Sequence, residues 1–292
     1  MKVGVAFFPT PNTMPPTDFA VACEERGFES IWYPDHSHIP ASHASNWPGG
    51  GQVPKWYLES MDQFVALGAA AAVTKSIKLA TGISLIIQRD PIPLAREIST
   101  IDHLSNGRMI FGIGGGWNAE EMENHGTNFK SRFRRMREQI AVMKAIWTQE
   151  EAEFHGEFYD FDPIIHNMKP VQKPYPPIVI GGGFPHAAQR AIDYCDGWIP
   201  ILGSDLANLQ VVSKFRQMAR DAGRDPDTLS VTTFGLNRTF QSANAYFESE
   251  DDIKRFRDAG VDRINFQLQA EDHDEMLRLL DEAAKYISIA AC

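Results

Sequence analysis

The sequence predicts an α/β protein of the (β/α)8 TIM-barrel class, and three observations carry that prediction. Short β-rich runs alternate with stretches of helical period along the chain, eight such units fit within 292 residues, and glycine runs follow the fourth and fifth strands. Strands separated by helices pair in parallel through right-handed crossovers, and eight of them can close a barrel. The competing arrangement, a doubly wound open sheet, would place a GxGxxG turn after the first strand, where this sequence has none.

Element by element, residues 2–8 read as a strand. Residues 17–26 read as a helix, with Phe19, Ala22 and Cys23 at helical spacing before Gly27. The unit recurs as strand 30–33 and helix 59–74, strand 77–87 and helix 92–104, then strand 108–113 and helix 131–147. The second half continues with strand 177–181 and a helix from Pro185, then strand 197–200 and a helix from Leu206. Strand 229–234 precedes a helix near Asp251, and strand 263–268 precedes a helix from Asp274. Two connections exceed what a barrel needs. Residues 34–58, broken by Pro48, Gly49, Gly50, Gly51 and Pro54, read as a lid over the site. Residues 152–176, with Phe154, Phe158, Tyr159 and Phe161 around Gly156, read as an inserted hairpin and extended arm within a single domain spanning 1–292.

With 43% hydrophobic and 23% charged residues the chain has ample material for a core. Its longest apolar stretches fall short of the ~20 residues a membrane span requires. Lys2 is followed at once by Val3-Gly4-Val5 with no leader pattern, so a cytoplasmic protein without a membrane span is expected. Against 28 basic residues stand 38 acidic ones, a net charge of −10 that repels phosphate backbones and makes nucleic acid an unexpected partner. Cys23, Cys195 and Cys292 lie far apart without CxxC spacing and read as ordinary thiols.

In a parallel barrel the working groups sit where strands end and loops begin. The second strand ends in Trp32-Tyr33-Pro34-Asp35-His36-Ser37-His38, a carboxylate beside two imidazoles, which suits an acid/base site, a proton relay or two metal ligands. A metal site needs further ligands from later strand ends, where only His186 and Asp272 lie loosely in range, so no metal is expected. Gly114-Gly115-Gly116-Trp117-Asn118 and Gly181-Gly182-Gly183 follow neighbouring strands. Their bare backbone amides at one barrel face could hold a phosphate without a cluster of lysines, with Lys169 and Lys173 as solvated or contributing cations. Ser84 interrupts an apolar strand, so its hydroxyl either faces a polar ligand at the barrel mouth or bonds a neighbouring strand. Arg132, Arg134, Arg135 and Arg137 on the helix after Ser131 read as a solvated or subunit-facing surface. Phe7, Phe8, His43, Trp47, Trp56 and Tyr57 are candidates for an aromatic-lined pocket suited to a largely apolar or planar small molecule.

These residues resemble the luciferase-like monooxygenase superfamily and, within it, the branch that uses the deazaflavin coenzyme F420. The resemblance runs through nearly the whole chain. It is carried by Glu25-Arg26-Gly27-Phe28-Glu29-Ser30-Ile31-Trp32 with Pro34-Asp35-His36, by EISTIDHLSNGR at 97–108 and by GGGWNAEE at 114–121. FHGEFY at 154–159, KPVQ at 169–172, PPIVIGG at 176–182 and Asp196-Gly197-Trp198 complete it. It implies a barrel whose coenzyme lies across the C-terminal mouth, its phosphate-bearing tail held by Gly115, Gly116, Trp117 and Asn118 and by Gly181, Gly182 and Gly183. Asp35 and His36 match the acidic-His pair of F420-dependent members, with His36 serving proton transfer near the ring and Asp35 orienting it or contacting the coenzyme. Pro34-Asp35 stands where several members carry Ser-Asp. Ser84-Leu85 match the position of a non-prolyl cis peptide beneath the ring. The implied activity is hydride transfer between F420 and a small organic substrate. An FMN-dependent two-component monooxygenase and a non-catalytic flavin-binding barrel are the alternatives. Members are often dimers, so a homodimer is an expectation that the apolar helix faces permit.

Overall fold

The computed structural model describes residues 1–201, 209–236 and 249–291. Its strands are β1 (Lys2–Ala6), β2 (Ser30–Tyr33), β3 (Lys78–Thr81), β4 (Met109–Ile113), β5 (Glu151–His155), β6 (Asp160–Ile165), β7 (Ile178–Gly182), β8 (Gly197–Pro200), β9 (Ser230–Leu236) and β10 (Arg263–Gln267). All but β5 and β6 form a closed barrel in the order β1-β10-β9-β8-β7-β4-β3-β2, with every pairing parallel. Closure comes from β1, which pairs Lys2 with Arg263 through Ala6 with Gln267 on one side and β2 on the other. The sheet therefore has no free edge. The (β/α)8 barrel expected from the alternating periods is the observed fold.

The barrel strands are largely apolar because both their faces are covered. Alternate residues turn inward, and Ala6, Trp32, Ala80, Ile110, Val179 and Ile199 make an inner cluster. Val5, Ile31, Leu79, Phe111, Ile180, Trp198 and Ile264 turn outward into the larger core beneath the helices. The amino-terminal end of the barrel is plugged by charge. Arg263 donates from Nε and Nη2 to the Glu29 carboxylate at 2.7 and 2.8 Å and from Nη1 to Thr232 at 3.1 Å. That ion pair closes this end, so the cavity among the described residues opens at the other.

The helices are α1 (Pro16–Glu25), α2 (Lys55–Leu58), α3 (Gln63–Val73), α4 (Pro91–Leu104), α5 (Ala119–Asn124), α6 (Arg132–Thr148), α7 (His186–Tyr194), α8 (Gln210–Asp221), α9 (Glu250–Asp258) and α10 (His273–Ala291). Their starts follow local chemistry. Asp62 caps α3 by accepting from the Phe64 and Val65 amides, Asp90 caps α4, and Ser249 with Asp252 forms a capping box at α9. Asp62 is also why the helix expected over 59–74 begins late, with the separate turn α2 before it. The strand expected over 77–87 stops at Thr81 and continues only as a bridge from Ser84 to Ile113 and a short 3-10 turn over Ile86–Gln88. The helix expected from Leu206 begins at Gln210, and Leu206 itself lies outside the described residues. Among the described residues no helix is long and apolar enough to cross a membrane. Cys23 and Cys195 are free and buried, and burial pushes both thiols above their ordinary value, while Cys292 lies outside the described residues.

The 97–108 segment turns out to be a structural clasp. Buried Asp102 accepts from the backbone and side-chain nitrogens of Gln172 at 2.9 and 2.7 Å, which ties the arm after the β5-β6 hairpin to the barrel. Buried Arg108 donates to the carbonyls of Ala71, Thr74, Ile77 and Ser105 and to the Thr74 hydroxyl, satisfying the carboxyl end of α3 and the entry to β3. Arg108→Met leaves those carbonyls buried without donors, and a loss of about 3 kcal/mol in urea unfolding is expected. Unchanged stability would refute that role.

Glu24 closes the same region from outside, accepting from the Lys75, Ser76 and Ile77 amides and the Ser76 hydroxyl. Burial nudges its carboxyl up, but those donors hold it at about 2, below its ordinary 4.5. A depressed value means stabilisation that is complete above 4.5 and fades as the pH falls through about 2. The stability gap between wild type and Glu24→Gln should therefore shrink between about pH 6 and about pH 3 in parallel urea titrations.

Candidate active site at the carboxyl end of the barrel

A cavity of about 440 Å³ opens at the carboxyl ends of the strands. Asp35, His36, Leu85, Gly115, Gly116, Trp117, Gly181, Gly182 and Gly183 all line it. The imidazole and both glycine turns therefore share one end of the barrel. Phe8, Tyr57, Ile83, Ile199 and Phe234 supply apolar wall, and Gln267 adds an amide. Phe8 faces the cavity and stacks on Tyr57 at 4.7 Å, whereas Phe7, one residue earlier, packs outward on Phe19 at 4.4 Å. The alternation of a strand thus removes Phe7 from the expected pocket.

His36 is held from outside the cavity. Its Nδ1 lies 2.9 Å from Glu121 Oε2, and the Ser37 amide donates to Glu121 Oε1 at 3.1 Å. Both side chains are shielded, with 7% and 1% exposure. A carboxylate on Nδ1 fixes the ring orientation and favours the tautomer that leaves Nε2 as acceptor. Burial by itself would raise the Glu121 carboxyl. The hydrogen bond and charge of His36, together with the Ser37 amide, overcome that and hold it below its ordinary value. Tyr57 and Trp117 flank the imidazole, with ring centres at 4.9 and 5.8 Å.

Asp35 does not orient His36. It turns away to Arg89, whose Nη2 and Nε reach its carboxylate at 3.2 and 3.4 Å, and Arg89 also pairs with Asp62 at 3.1 Å. Burial raises the Asp35 carboxyl above its ordinary value, and the Arg89 charge opposes this without cancelling it. The orienting carboxylate is Glu121, contributed by α5. Asn118 caps that helix by accepting from the Glu121 amide at 3.0 Å, so its side chain is buried under the turn instead of lining the cavity. On the same turn Glu120 accepts from the Ala44 and Ser45 amides at 2.6 and 3.3 Å, and the Ser45 hydroxyl accepts from the Ala119 amide. One helical turn thus fastens both the imidazole and the 34–58 loop. Neither Glu121 nor α5 was anticipated as part of the site. The available signal was an Asn three residues before a Glu, the pattern of a capped helix start.

The non-prolyl cis peptide is Gly82–Ile83, two residues before the expected Ser84–Leu85. Ser84 stays in register with β4, its amide bonded to the Gly112 carbonyl and its carbonyl to the Gly114 amide, so the break in pairing falls between Thr81 and Ser84. The Ser84 hydroxyl is buried with no partner among the described residues and does not line the cavity, whereas Leu85 does. His43 and Trp47 line a separate cavity of about 410 Å³ within the 34–58 loop. Lys169 and Lys173 point to the carbonyls of Ile146, Gln149 and Pro170, away from the site. Among the described residues no group of three His, Cys, Asp or Glu is placed to hold a metal ion.

The glycine turns are shaped for close approach. Gly116 sits at φ +65° and Gly182 at φ +149°, conformations that side chains disfavour, and a Cβ on Gly182 would lie 2.8 Å from Ala187.

Comparison with known proteins places this geometry among relatives. The uncharacterized protein Rv0953c of Mycobacterium tuberculosis is 40% identical over 207 residues, 68% of this chain and 72% of that protein. An F420-dependent glucose-6-phosphate dehydrogenase of Nakamurella multipartita is 29% identical over 275 residues, 91% of this chain and 74% of that protein. Among solved structures, an F420-dependent secondary alcohol dehydrogenase in complex with an F420-acetone adduct superposes with a TM-score of 0.76 at 19% identity, covering 98% of both chains, a likeness of fold. The model of the luciferase-like monooxygenase family matches residues 15–286, nearly the whole barrel with both glycine turns and the His36 loop, and the chain belongs to that family.

Proposed function

We propose that this protein is an F420-dependent oxidoreductase that passes a hydride between the deazaflavin and a small, largely apolar organic substrate at the barrel mouth. The observation that carries the reading is the shielded His36–Glu121 pair set into an apolar cavity edged by two glycine turns. The relatives whose names state a cofactor support F420 over FMN.

The residues present fit such a coenzyme. Gly115 and Gly116 on one strand end and Gly181, Gly182 and Gly183 on the next would hold an anionic tail through backbone amides, and Leu85, Ile83 and Trp117 would border the ring. Ser84 and Asn118 would act from behind, through strand register and the α5 cap. When bound, the deazaflavin supplies a carbon centre that accepts or donates hydride. The chain's own part is positioning and proton management. Phe8, Tyr57 and Phe234 exclude water, and His36 Nε2 takes a proton from the substrate or returns it. Glu121 holds the ring at Nδ1 and balances the imidazolium formed. Asp35, neutralised by Arg89, secures the base of the loop that carries His36. The 34–58 loop serves as a lid, bringing Pro48 and Tyr57 over the cavity.

Fluorescence titration of the purified protein with F420 and with FMN tests the cofactor. Quenching by F420 is expected, and tight FMN binding with no response to F420 would overturn the proposal.

His36→Ala should lower kcat about 100-fold or more while leaving coenzyme affinity within a few-fold. Glu121→Gln should lower kcat less. Since its role is to orient the ring at Nδ1, Glu121→Asp should recover part of that loss. An unchanged kcat in Glu121→Gln would remove Glu121 from the positioning of His36.

A further inference from the structure

Phe133 lines the cavity beside Gly115, so close that a Cβ on Gly115 would lie 2.5 Å from its ring. Two guanidinium groups stack on that ring. Arg190 from α7 lies 3.6 Å and Arg132 from α6 lies 4.3 Å from its centre, and Arg132 also covers Phe129 at 3.7 Å. Like charges held this close repel, and each lies in the other's field. Neighbouring arginines are accounted for, since Arg134 pairs with Glu157 and Arg135 donates to the Tyr159 hydroxyl. Arg132 Nη1 donates to the Phe129 carbonyl at 2.7 Å, but neither Arg132 nor Arg190 has a carboxylate partner among the described residues, and Arg132 Nε is buried without an acceptor there. A protein of net charge −10 has carboxylates in surplus, yet among the described residues none pairs with these two arginines. Aromatic stacking holds the two cations in place while leaving donors free for an anion.

We infer that Arg132 and Arg190, clasped around Phe133, form an anion subsite next to the glycine turns. It would take the negatively charged outer part of the coenzyme side chain, the phosphodiester and the carboxylates that follow it. The inference rests on the F420 reading of the cavity. The backbone amides of Gly115, Gly116 and Gly181 to Gly183 grip the inner end of that chain, and the arginine pair supplies the long-range charge that amides lack.

The test compares full F420 with its phosphate-free chromophore, the deazaflavin riboside, by fluorescence quenching at about 50 mM and about 500 mM salt. Wild type should prefer full F420 by about ten-fold or more, and the preference should shrink at high salt. The Arg132→Gln/Arg190→Gln pair should keep the affinity for the riboside but lose about ten-fold for full F420. Arg132→Lys/Arg190→Lys should recover part of the loss. Equal affinity of the Gln pair and wild type for full F420, or an equal loss for both ligands, overturns the inference while leaving F420 use intact. If wild type binds FMN and neither deazaflavin, the cofactor proposal fails, and the same comparison with FMN and riboflavin decides the arginines. If none of the four ligands binds, both ideas fall.

Discussion

Barrel closure is the constraint on which everything else depends. Once β1 pairs with β10 as well as β2, eight strand ends converge on one rim, and residues far apart in sequence become neighbours there. The Glu29–Arg263 plug closes the opposite end, and Trp32 fills the interior above it, its indole nitrogen donating to Ser30. A polar ligand entering at the plugged end would have to break a buried ion pair, at a cost of several kcal/mol. At the other end it meets an open cavity edged by the two glycine turns.

Precision at the rim comes from α5 rather than from the strands. This short helix is fixed at its start by Asn118 and holds two carboxylates with different duties in successive positions. Glu120 takes up amides of the 34–58 loop, and Glu121 takes the imidazole and the Ser37 amide. Because both grips lie within one turn, the loop cannot shift far without straining the hydrogen bond that orients His36. The 34–58 loop and the orientation of the His36 ring are in this way mechanically one unit, which suits the proposed hydride chemistry, where water is to be excluded.

The barrel was legible in the sequence because its signal is local and repeated. A run such as Met109–Ile113 followed by the 3.6-residue period of α6 says strand and helix without reference to the rest of the chain. The glycine turns and His36 were legible for the same reason, since each marks the end of a strand. Pairings were not. Asp35 and His36 are adjacent in sequence, which suggested that one serves the other, but adjacent residues diverge in direction. Their partners Arg89 and Glu121 lie 54 and 85 residues away. No local pattern encodes such a choice, because it is decided where the rim brings different loops together. The family resemblance places the cis peptide at Ser84-Leu85, while the backbone shows Ser84 still paired and the irregularity absorbed earlier, at Gly82.

Electrostatics at the rim follows from the same separation of duties. The two glycine turns offer amide dipoles, which act only at contact and fall away within a few ångströms, whereas the chain as a whole carries a negative field that discourages anions from approaching. Placing Glu121 deep in the same rim would add to that discouragement if its charge were bare. It is not bare, because His36 and the Ser37 amide take up its oxygens, and Asp35 is likewise matched by Arg89. Each of these two buried carboxylates is thus matched by a partner from a different loop of the rim. The rim can then carry two acids needed for order and orientation and still present an amide-lined, electrically permissive mouth to a negatively charged ligand.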